Sequence, residues 1–209
     1  PGKAAHLERH FAVAGASIPP RTVRVWVPAG KAERVLYAHD GQNLFNPAAI
    51  WGGWGLATKV PPNMMVVGVD NSPFRMNEYT HVQDDLGSGL VGGKAYDYVN
   101  YLVGSVRQLV AKHYGEPAVR GILGSSLGGL VSLYAVSQHP DLFNFAGSMS
   151  GTLGWGSIGL HGGQQNETII EKFRTKAPAS TILYVDSGGQ GVCEDNDQDG
   201  IEDDGPNGA

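Results

Sequence analysis

The sequence predicts a single domain of the α/β class, built on a mainly parallel central sheet with helices on both faces. Short apolar runs rich in β-branched residues alternate with stretches whose apolar residues recur at helical spacing, which is typical of βαβ units. A length of 209 residues suits one core with a large sheet better than two small cores. The 31 glycines fit a fold with many tight turns and close strand-to-helix passages.

The first half of the chain contains three predicted strands. Residues 22–27 alternate polar and apolar side chains between prolines, which predicts an antiparallel strand at the edge of the sheet. Residues 34–38 and 64–69 are short, apolar and rich in β-branched side chains, as buried parallel strands are. Each of these two runs ends in a turn that contains aspartate, Asp40-Gly41 and Asp70-Asn71.

The second half alternates helices with strands. Apolar residues at helical spacing and a terminal Gly115 predict a helix over residues 96–114. A long surface connection is expected over residues 152–165, with a mobile lid as the alternative. The remaining predicted elements are a strand at 119–123, a helix at 127–138, a strand at 143–148, a helix at 167–174 with Asn166 as its N-cap, and a strand at 181–186.

The charge distribution excludes some classes of partner. Seven of the twenty acidic residues lie in the last sixteen positions, which leaves thirteen acids and fifteen bases in the rest of the chain. No basic stripe is present, so we predict no nucleic-acid binding. No apolar run reaches the roughly 18 residues of a membrane span, so we predict no membrane insertion.

One stretch, Gly124-Ser125-Ser126-Leu127-Gly128, matches the pattern G-x-S-x-G between a predicted strand and a predicted helix. Glycines let a strand turn straight into a helix, and the central serine takes a strained backbone that lifts its hydroxyl to the top of the sheet. The bare pattern is weak evidence in a glycine-rich chain, but the strand-turn-helix context is what the motif requires. We therefore predict that Ser126 is a catalytic nucleophile; the alternative is a glycine-rich turn with a capping serine.

Serine attack on a carbonyl carbon creates an oxyanion, which needs preorganised hydrogen-bond donors. The Leu127 N–H lies at the N-terminus of a predicted helix, where backbone donors are unpaired. The second donor is expected from the loop after the strand at 34–38, and the Gln42 N–H is our candidate. The alternative is that Asp40-Gly41 is merely a turn.

Three separated segments together resemble the family named Putative esterase. These segments are Leu36-Tyr37-Ala38-His39-Asp40-Gly41-Gln42-Asn43-Leu44-Phe45, Val67-Gly68-Val69-Asp70-Asn71 with Glu78-Tyr79-Thr80, and Gly124-Ser125-Ser126-Leu127-Gly128-Gly129. The family includes feruloyl and acetylxylan esterases, ferric-enterobactin esterases and S-formylglutathione hydrolases. The resemblance covers about residues 20–190. It implies an α/β-hydrolase fold and hydrolysis of carboxylic esters by a Ser-His-acid triad, with no cofactor for catalysis.

In α/β-hydrolases the triad runs serine, acid, histidine along the chain. Asp186, at the end of the last predicted strand, is our candidate acid, with Glu194, Asp195 or an aspartate beyond Ala209 as alternatives. No histidine of the sequence follows that strand, and His161 is the plausible internal substitute. We expect instead that the base lies beyond Ala209, on a C-terminal segment or a separate chain. Residues 1–209 would then be one α/β-hydrolase domain that is incomplete at its C-terminus.

Two tryptophans near the oxyanion loop, Trp51 and Trp54, are candidates for binding substrate. They would form an aromatic platform for sugar or phenolic groups; ordinary packing is the alternative. The family resemblance and expected secretion favour an acyl ester of a carbohydrate, of feruloyl or acetyl type, in a plant polysaccharide. Two other functions stay open: thioester hydrolysis or acyl transfer at the same serine, and a non-catalytic binding module on a hydrolase fold.

The acidic segment 193–206 resembles the aspartate-rich calcium repeats of extracellular proteins, such as thrombospondin type 3 repeats. Glycine at position 200 suits the sharp turn of such loops, although Pro206 stands where an EF-hand has glutamate. We expect a structural calcium ion; a solvated acidic loop is the alternative. Calcium would favour a secreted protein, with Cys193 disulfide-bonded to the missing segment and the signal peptide removed. The candidate ligands are Asp195, Asp197, Asp199, Ile201 and Asp203.

Overall fold

A computed structural model describes residues 3–159 and 167–187. Within these residues seven strands form one sheet, and two more form a separate hairpin. The sheet contains β1 (His6–Val13), β2 (Arg21–Val27), β3 (Arg34–His39), β4 (Met64–Val69), β7 (Val119–Ser125), β8 (Phe145–Met149) and β9 (Ile182–Asp186). The hairpin contains β5 (Gln83–Asp85) and β6 (Leu90–Gly92).

The sheet is mainly parallel, as the sequence predicts. Its strand order is β1-β2-β4-β3-β7-β8-β9. Strand β2 pairs antiparallel with both β1 and β4, and every later pairing is parallel. The carboxyl ends of β3, β7, β8 and β9 therefore lie along one edge of the sheet, where ligands of open α/β sheets bind.

Five helices are described. They are α1 (Arg75–Glu78), α2 (Ala95–Tyr101), α3 (Arg107–Tyr114), α4 (Leu127–Gln138) and α5 (Ile169–Thr175). The helix predicted over residues 96–114 is continuous but contains a π-helical segment, Leu102–Val106, between α2 and α3. A π segment keeps helical dihedrals and shifts the hydrogen-bond register, so apolar spacing alone does not reveal it.

Helix α4 is the central helix of the core. Ten consecutive residues, from Leu127 to Val136, are buried, because the helix packs on β7 and β8 and is covered by α2 and α5. A smaller apolar cluster lies around Ala38, Leu44 and Val66, with Trp54 packed against it. No helix in the described part of the chain is both long enough and apolar enough to span a membrane.

Three local predictions are wrong. Residues 21–27 form an antiparallel strand, but β1 is the edge strand of the described sheet. Polar and apolar residues do not alternate regularly over His6–Val13, so no strand was predicted there. The N-cap of α5 is Thr168, not Asn166, because the Thr168 hydroxyl accepts the Glu171 N–H at 3.3 Å. Strand β8 begins at Phe145 rather than at residue 143.

Candidate active site

Ser126 lies at the turn between β7 and α4, with backbone angles of φ 55° and ψ −126°. Such a conformation is strained for a residue with a side chain, at a cost of about 1–3 kcal/mol. The turn is as tight as the motif requires. A Cβ at Gly124 would lie 2.6 Å from the carbonyl carbon of Gly128, so the first motif position accepts only glycine without a backbone shift.

The Ser126 hydroxyl contacts Thr152, a residue for which the sequence predicted no role at the site. Its Oγ lies 3.2 Å from the Thr152 Oγ1, and the Thr152 N–H donates to the Ser126 carbonyl oxygen at 3.2 Å. The Ser126 N–H donates to the Met149 carbonyl oxygen on β8. No motif marks Thr152, because its position depends on the loop after β8 returning to the carboxyl edge of the sheet.

The two candidate oxyanion donors lie in the predicted elements. Gln42 is the middle residue of a 3₁₀ turn, Gly41–Asn43, that directly follows β3, and Leu127 is the first residue of α4. Among the described residues, neither backbone N–H donates to a protein acceptor. Asp40 starts the turn in the left-handed region, at φ 55°. A Cβ at Gly41 would lie 2.7 Å from the Gly68 carbonyl carbon, so this turn packs directly on β4.

An ion pair that was not predicted from the sequence holds Asp40 and the 3₁₀ turn Gly41–Asn43, called the oxyanion turn below. The Arg75 guanidinium donates to both carboxylate oxygens of Asp40, from Nε and Nη2, at 2.8 Å each. The Asn71 amide also donates to Asp40, and the Asn71 backbone N–H donates to the Gln42 side-chain oxygen. A longer contact of 3.5 Å joins Arg75 Nη2 to the Ser125 carbonyl oxygen. Arg75 therefore lies between the oxyanion turn and the serine turn.

Helix α1, which carries Arg75, is fixed by a second ion pair in the interior. Glu78 accepts two 2.8 Å hydrogen bonds from the Arg21 guanidinium and one from the Ser72 hydroxyl. Both partners of the pair are almost fully buried. Removing one partner of such a pair leaves an uncompensated charge and is strongly destabilising. The quoted segment Glu78-Tyr79-Thr80 is thus part of the support for the site.

A cavity of about 300 Å³ opens beside Ser126. Its polar lining includes Asp40, Asn43, Asn71 and Arg75. Its apolar lining includes Ile50 and the candidate substrate residue Trp54. Trp51, the second candidate, lies in the 3₁₀ turn Ile50–Gly52, and its side chain is outside the described part of the structure.

Asp186 is the last residue of β9, opposite Met149 of β8. One carboxylate oxygen accepts the Ser150 N–H at 2.7 Å, and the other accepts the Tyr184 hydroxyl at 2.8 Å. Since Met149 also accepts the Ser126 N–H, Asp186 and Ser126 flank the same residue at the carboxyl edge. The alternative acids, Glu194 and Asp195, lie outside the described residues.

None of the described histidines hydrogen-bonds to the Ser126 hydroxyl. His39 is 1% exposed, and its Nδ1 lies 2.8 Å from the Tyr98 hydroxyl. Burial lowers the pKa of His39 to about 4, so the ring is neutral at pH 7. His161, the internal substitute predicted from the sequence, lies outside the described residues.

No cluster of three or more His, Cys, Asp or Glu side chains with metal-binding geometry occurs within residues 3–159 and 167–187. The calcium ligands predicted from the sequence are all outside these ranges. They are Asp195, Asp197, Asp199, Ile201 and Asp203, and Cys193 lies with them.

Comparison with known proteins gives both sequence and fold relatives. Uncharacterized protein YbbA of Bacillus subtilis (strain 168) is 28% identical over 125 residues, which are 56% of this chain and 49% of that protein. The chain thus spans about half the length of the curated relative it matches.

Several solved structures share the fold. The enterobactin esterase FES from Shigella flexneri, solved with 2,3-dihydroxy-N-benzoyl-glycine, has a TM-score of 0.60 at 19% identity, over 88% of this chain and 45% of that one. An IroE-like serine hydrolase from Shewanella oneidensis has a TM-score of 0.59 at 19% identity, over 71% and 51%. The siderophore hydrolase EstA from Aspergillus nidulans has a TM-score of 0.59 at 19% identity, over 80% and 62%. At these identities the likeness shows the fold.

The model of the family described as Putative esterase matches residues 18–192, which include the oxyanion turn, the serine turn and Asp186. That match covers most of the chain and agrees with the mainly parallel sheet and with the fold of the solved neighbours. The chain therefore belongs to the Putative esterase family of α/β-hydrolases.

Proposed function

We propose that the protein is a serine carboxylesterase that hydrolyses carboxylic esters through an acyl-enzyme at Ser126. One observation supports this most: a serine with strained backbone angles stands at a strand-to-helix turn beside a cavity of about 300 Å³. The family match and the hydrolase fold of the solved neighbours support the same reaction class. A structural serine at a helix N-cap would not need that strain.

The reaction follows from this arrangement. Ser126 Oγ attacks the ester carbonyl carbon, and the Gln42 and Leu127 N–H groups donate to the resulting oxyanion. Collapse of the tetrahedral intermediate releases the alcohol and leaves an acyl-serine, which water then hydrolyses. Proton transfer requires a base outside the described residues, for which we propose a histidine on additional polypeptide, with His161 as the alternative. Asp186 is the proposed acid partner of that base.

For the substrate, we propose acyl esters of carbohydrates, of feruloyl or acetyl type. A cavity lined by apolar side chains together with amide and charged groups suits a ring that carries hydroxyl groups. Some fold neighbours are named as siderophore or enterobactin hydrolases, so catecholate esters are the second candidate. A bound structural calcium ion and secretion remain predictions from the sequence.

The test compares wild type with Ser126→Ala on four substrates: methyl ferulate, acetylated xylan, a catecholate ester and an aryl thioester. We expect the wild type to hydrolyse esters and Ser126→Ala to lose this activity. Among the four substrates, the wild type should prefer methyl ferulate and acetylated xylan. Retained hydrolysis in Ser126→Ala would refute the nucleophile. A preference for the catecholate ester or the thioester would refute the proposed substrate class and leave the nucleophile standing.

A further inference from the structure

Asp84, on β5, is a buried carboxylate with an unusual set of partners. It is 6% exposed. Its two oxygens accept four backbone N–H groups at 2.7–3.1 Å, from Asp85, Gly156, Ile158 and Gly159. Burial alone raises the pKa of this carboxyl, but the backbone donors outweigh burial and lower the pKa below its usual value. The carboxylate is therefore ionised, and both of its oxygens accept hydrogen bonds from backbone N–H groups.

Three of these four donors belong to one loop, residues 151–159, which follows β8. The loop has a second anchor next to the hairpin, since the indole of Trp155 donates to the carbonyl oxygen of Val82, the residue before β5, at 2.8 Å. The Trp155 side chain is 2% exposed. A Cβ at Gly159 would lie 2.8 Å from the Asp85 carbonyl oxygen, so loop and hairpin are in direct contact. The hairpin thus serves as a platform for the loop.

The other end of the 151–159 loop reaches the serine turn. Thr152 contacts Ser126 twice, through its hydroxyl and through its backbone N–H. The Thr152 carbonyl oxygen in turn accepts the Trp155 N–H. A series of hydrogen bonds therefore runs from Val82, just before the hairpin, through Trp155 and Thr152 to Ser126, and Asp84 binds Gly156, the residue that follows Trp155.

We propose that Asp84 is a positioning residue that acts through Thr152 on Ser126. By fixing the 151–159 loop to the hairpin, Asp84 keeps the Thr152 hydroxyl at hydrogen-bond distance from Ser126 Oγ. Thr152 then orients the serine hydroxyl for attack. The inference rests on the proposed function, because it gives Thr152 a role in turnover only if Ser126 is the nucleophile.

The main variant is Asp84→Asn, and the matched control is Asp85→Asn. An asparagine at position 84 would present an NH₂ group, a donor, to backbone donors of the loop. Asp85 is on the same strand, but among the described residues its side chain accepts only the N–H groups of Gly87 and Gly89, in an exposed turn. Thr152→Val removes the hydroxyl and keeps the side-chain shape, whereas Thr152→Ser keeps the hydroxyl.

The first measurement is hydrogen exchange. In Asp84→Asn the amides of Thr152, Gly156, Ile158 and Gly159 exchange faster than in wild type, and amides of β7 do not change. In Asp85→Asn all of them keep the wild-type rate. Unchanged exchange at Thr152 in a folded Asp84→Asn protein would overturn the inference. Exchange needs no turnover, so a wild type that hydrolyses no ester would count against the proposed function and leave this measurement decisive for the placement of Thr152.

The second measurement is ester hydrolysis by the four variants and by Asp84→Asn/Thr152→Val. Asp84→Asn and Thr152→Val each lower kcat about tenfold, since misplacing a reacting group by 1 Å costs up to about 100-fold, while KM stays within about twofold. Thr152→Ser retains kcat, and the double variant is no slower than the slower single variant. Independent, multiplying losses in the double variant would overturn the inference. If Asp84→Asn does not fold, the inference would be overturned by equal kcat values for Thr152→Val and Thr152→Ser.

Discussion

Ser126 holds a backbone conformation that glycine adopts at much lower cost, so replacing it tests the strain directly. We predict that Ser126→Gly is more stable than Ser126→Ala, although neither variant hydrolyses esters. Both variants lose the hydroxyl contact with Thr152, so their difference isolates the backbone at φ 55°.

The magnitude follows from two opposing effects. Relief of strain contributes about 1–3 kcal/mol. Glycine also gains freedom in the unfolded chain, which offsets about 0.4–1 kcal/mol of that relief. The free energy of unfolding of Ser126→Gly should therefore exceed that of Ser126→Ala by about 1–2 kcal/mol, or about 2–8 °C in Tm for a domain of this size.

The assay is urea unfolding at pH 7, followed by circular dichroism. The control pair is Ser125→Gly and Ser125→Ala, because Ser125 lies in β7 and has no positive φ. For this control pair the order should reverse, and the free energy of unfolding of Ser125→Gly should be lower than that of Ser125→Ala by about 0.5–1 kcal/mol. Equal stabilities for the two Ser126 variants, or a less stable glycine variant, would refute the claim that this turn stores strain.

Further predictions concern the rest of the site. Gly124→Ala lowers the free energy of unfolding by about 1–3 kcal/mol in urea, because its Cβ would meet Gly128, whereas Gly30→Ala, with open space around it, changes little. In the folded protein the pKa of His39 is about 4, so as the pH falls the imidazole is protonated in the unfolded chain before it is protonated in the folded protein. The free energy of unfolding of the wild type should therefore decrease by about 3 kcal/mol between pH 7 and pH 4. Urea denaturation of His39→Gln at the two pH values should not show this decrease. Arg75→Met lowers kcat/KM about tenfold or more by freeing the Asp40 carboxylate, and Arg75→Lys restores it only in part because lysine lacks the bidentate fork. The Tm measured with added calcium should be higher than the Tm measured with a chelator, and equal Tm values would refute the predicted calcium site.

The fold was predictable where local pattern decides structure. Helix α4 and strand β4 have the predicted bounds, because each is a dense apolar run between clear stop signals. Strand β1 was not predictable, since its residues His6–Val13 mix polar and apolar side chains without regular alternation and gain their order from pairing with β2. The π-helical segment was not predicted because it changes the hydrogen-bond register of the helix and leaves no mark in the amino-acid composition.

Within the candidate site, the sequence pointed only to residues that belong to a motif. The serine turn and the oxyanion turn each occupy consecutive residues with special backbone requirements, and sequence reasoning named Ser126, Leu127 and Gln42. The supporting contacts join residues far apart in the chain. Arg75 reaches Asp40 across 35 residues, and Asp84 reaches Gly159 across 75. Such pairings follow from strand order and loop packing, which local pattern does not specify.

The most direct test of the central claim is covalent labelling of Ser126. The purified full-length protein is treated with a fluorophosphonate, its intact mass is measured before and after, and the adduct is located by peptide mapping. We expect a single adduct on Ser126 and none in Ser126→Ala. No adduct, or an adduct on another residue, would mean that this hydrolase fold has no working nucleophile at Ser126.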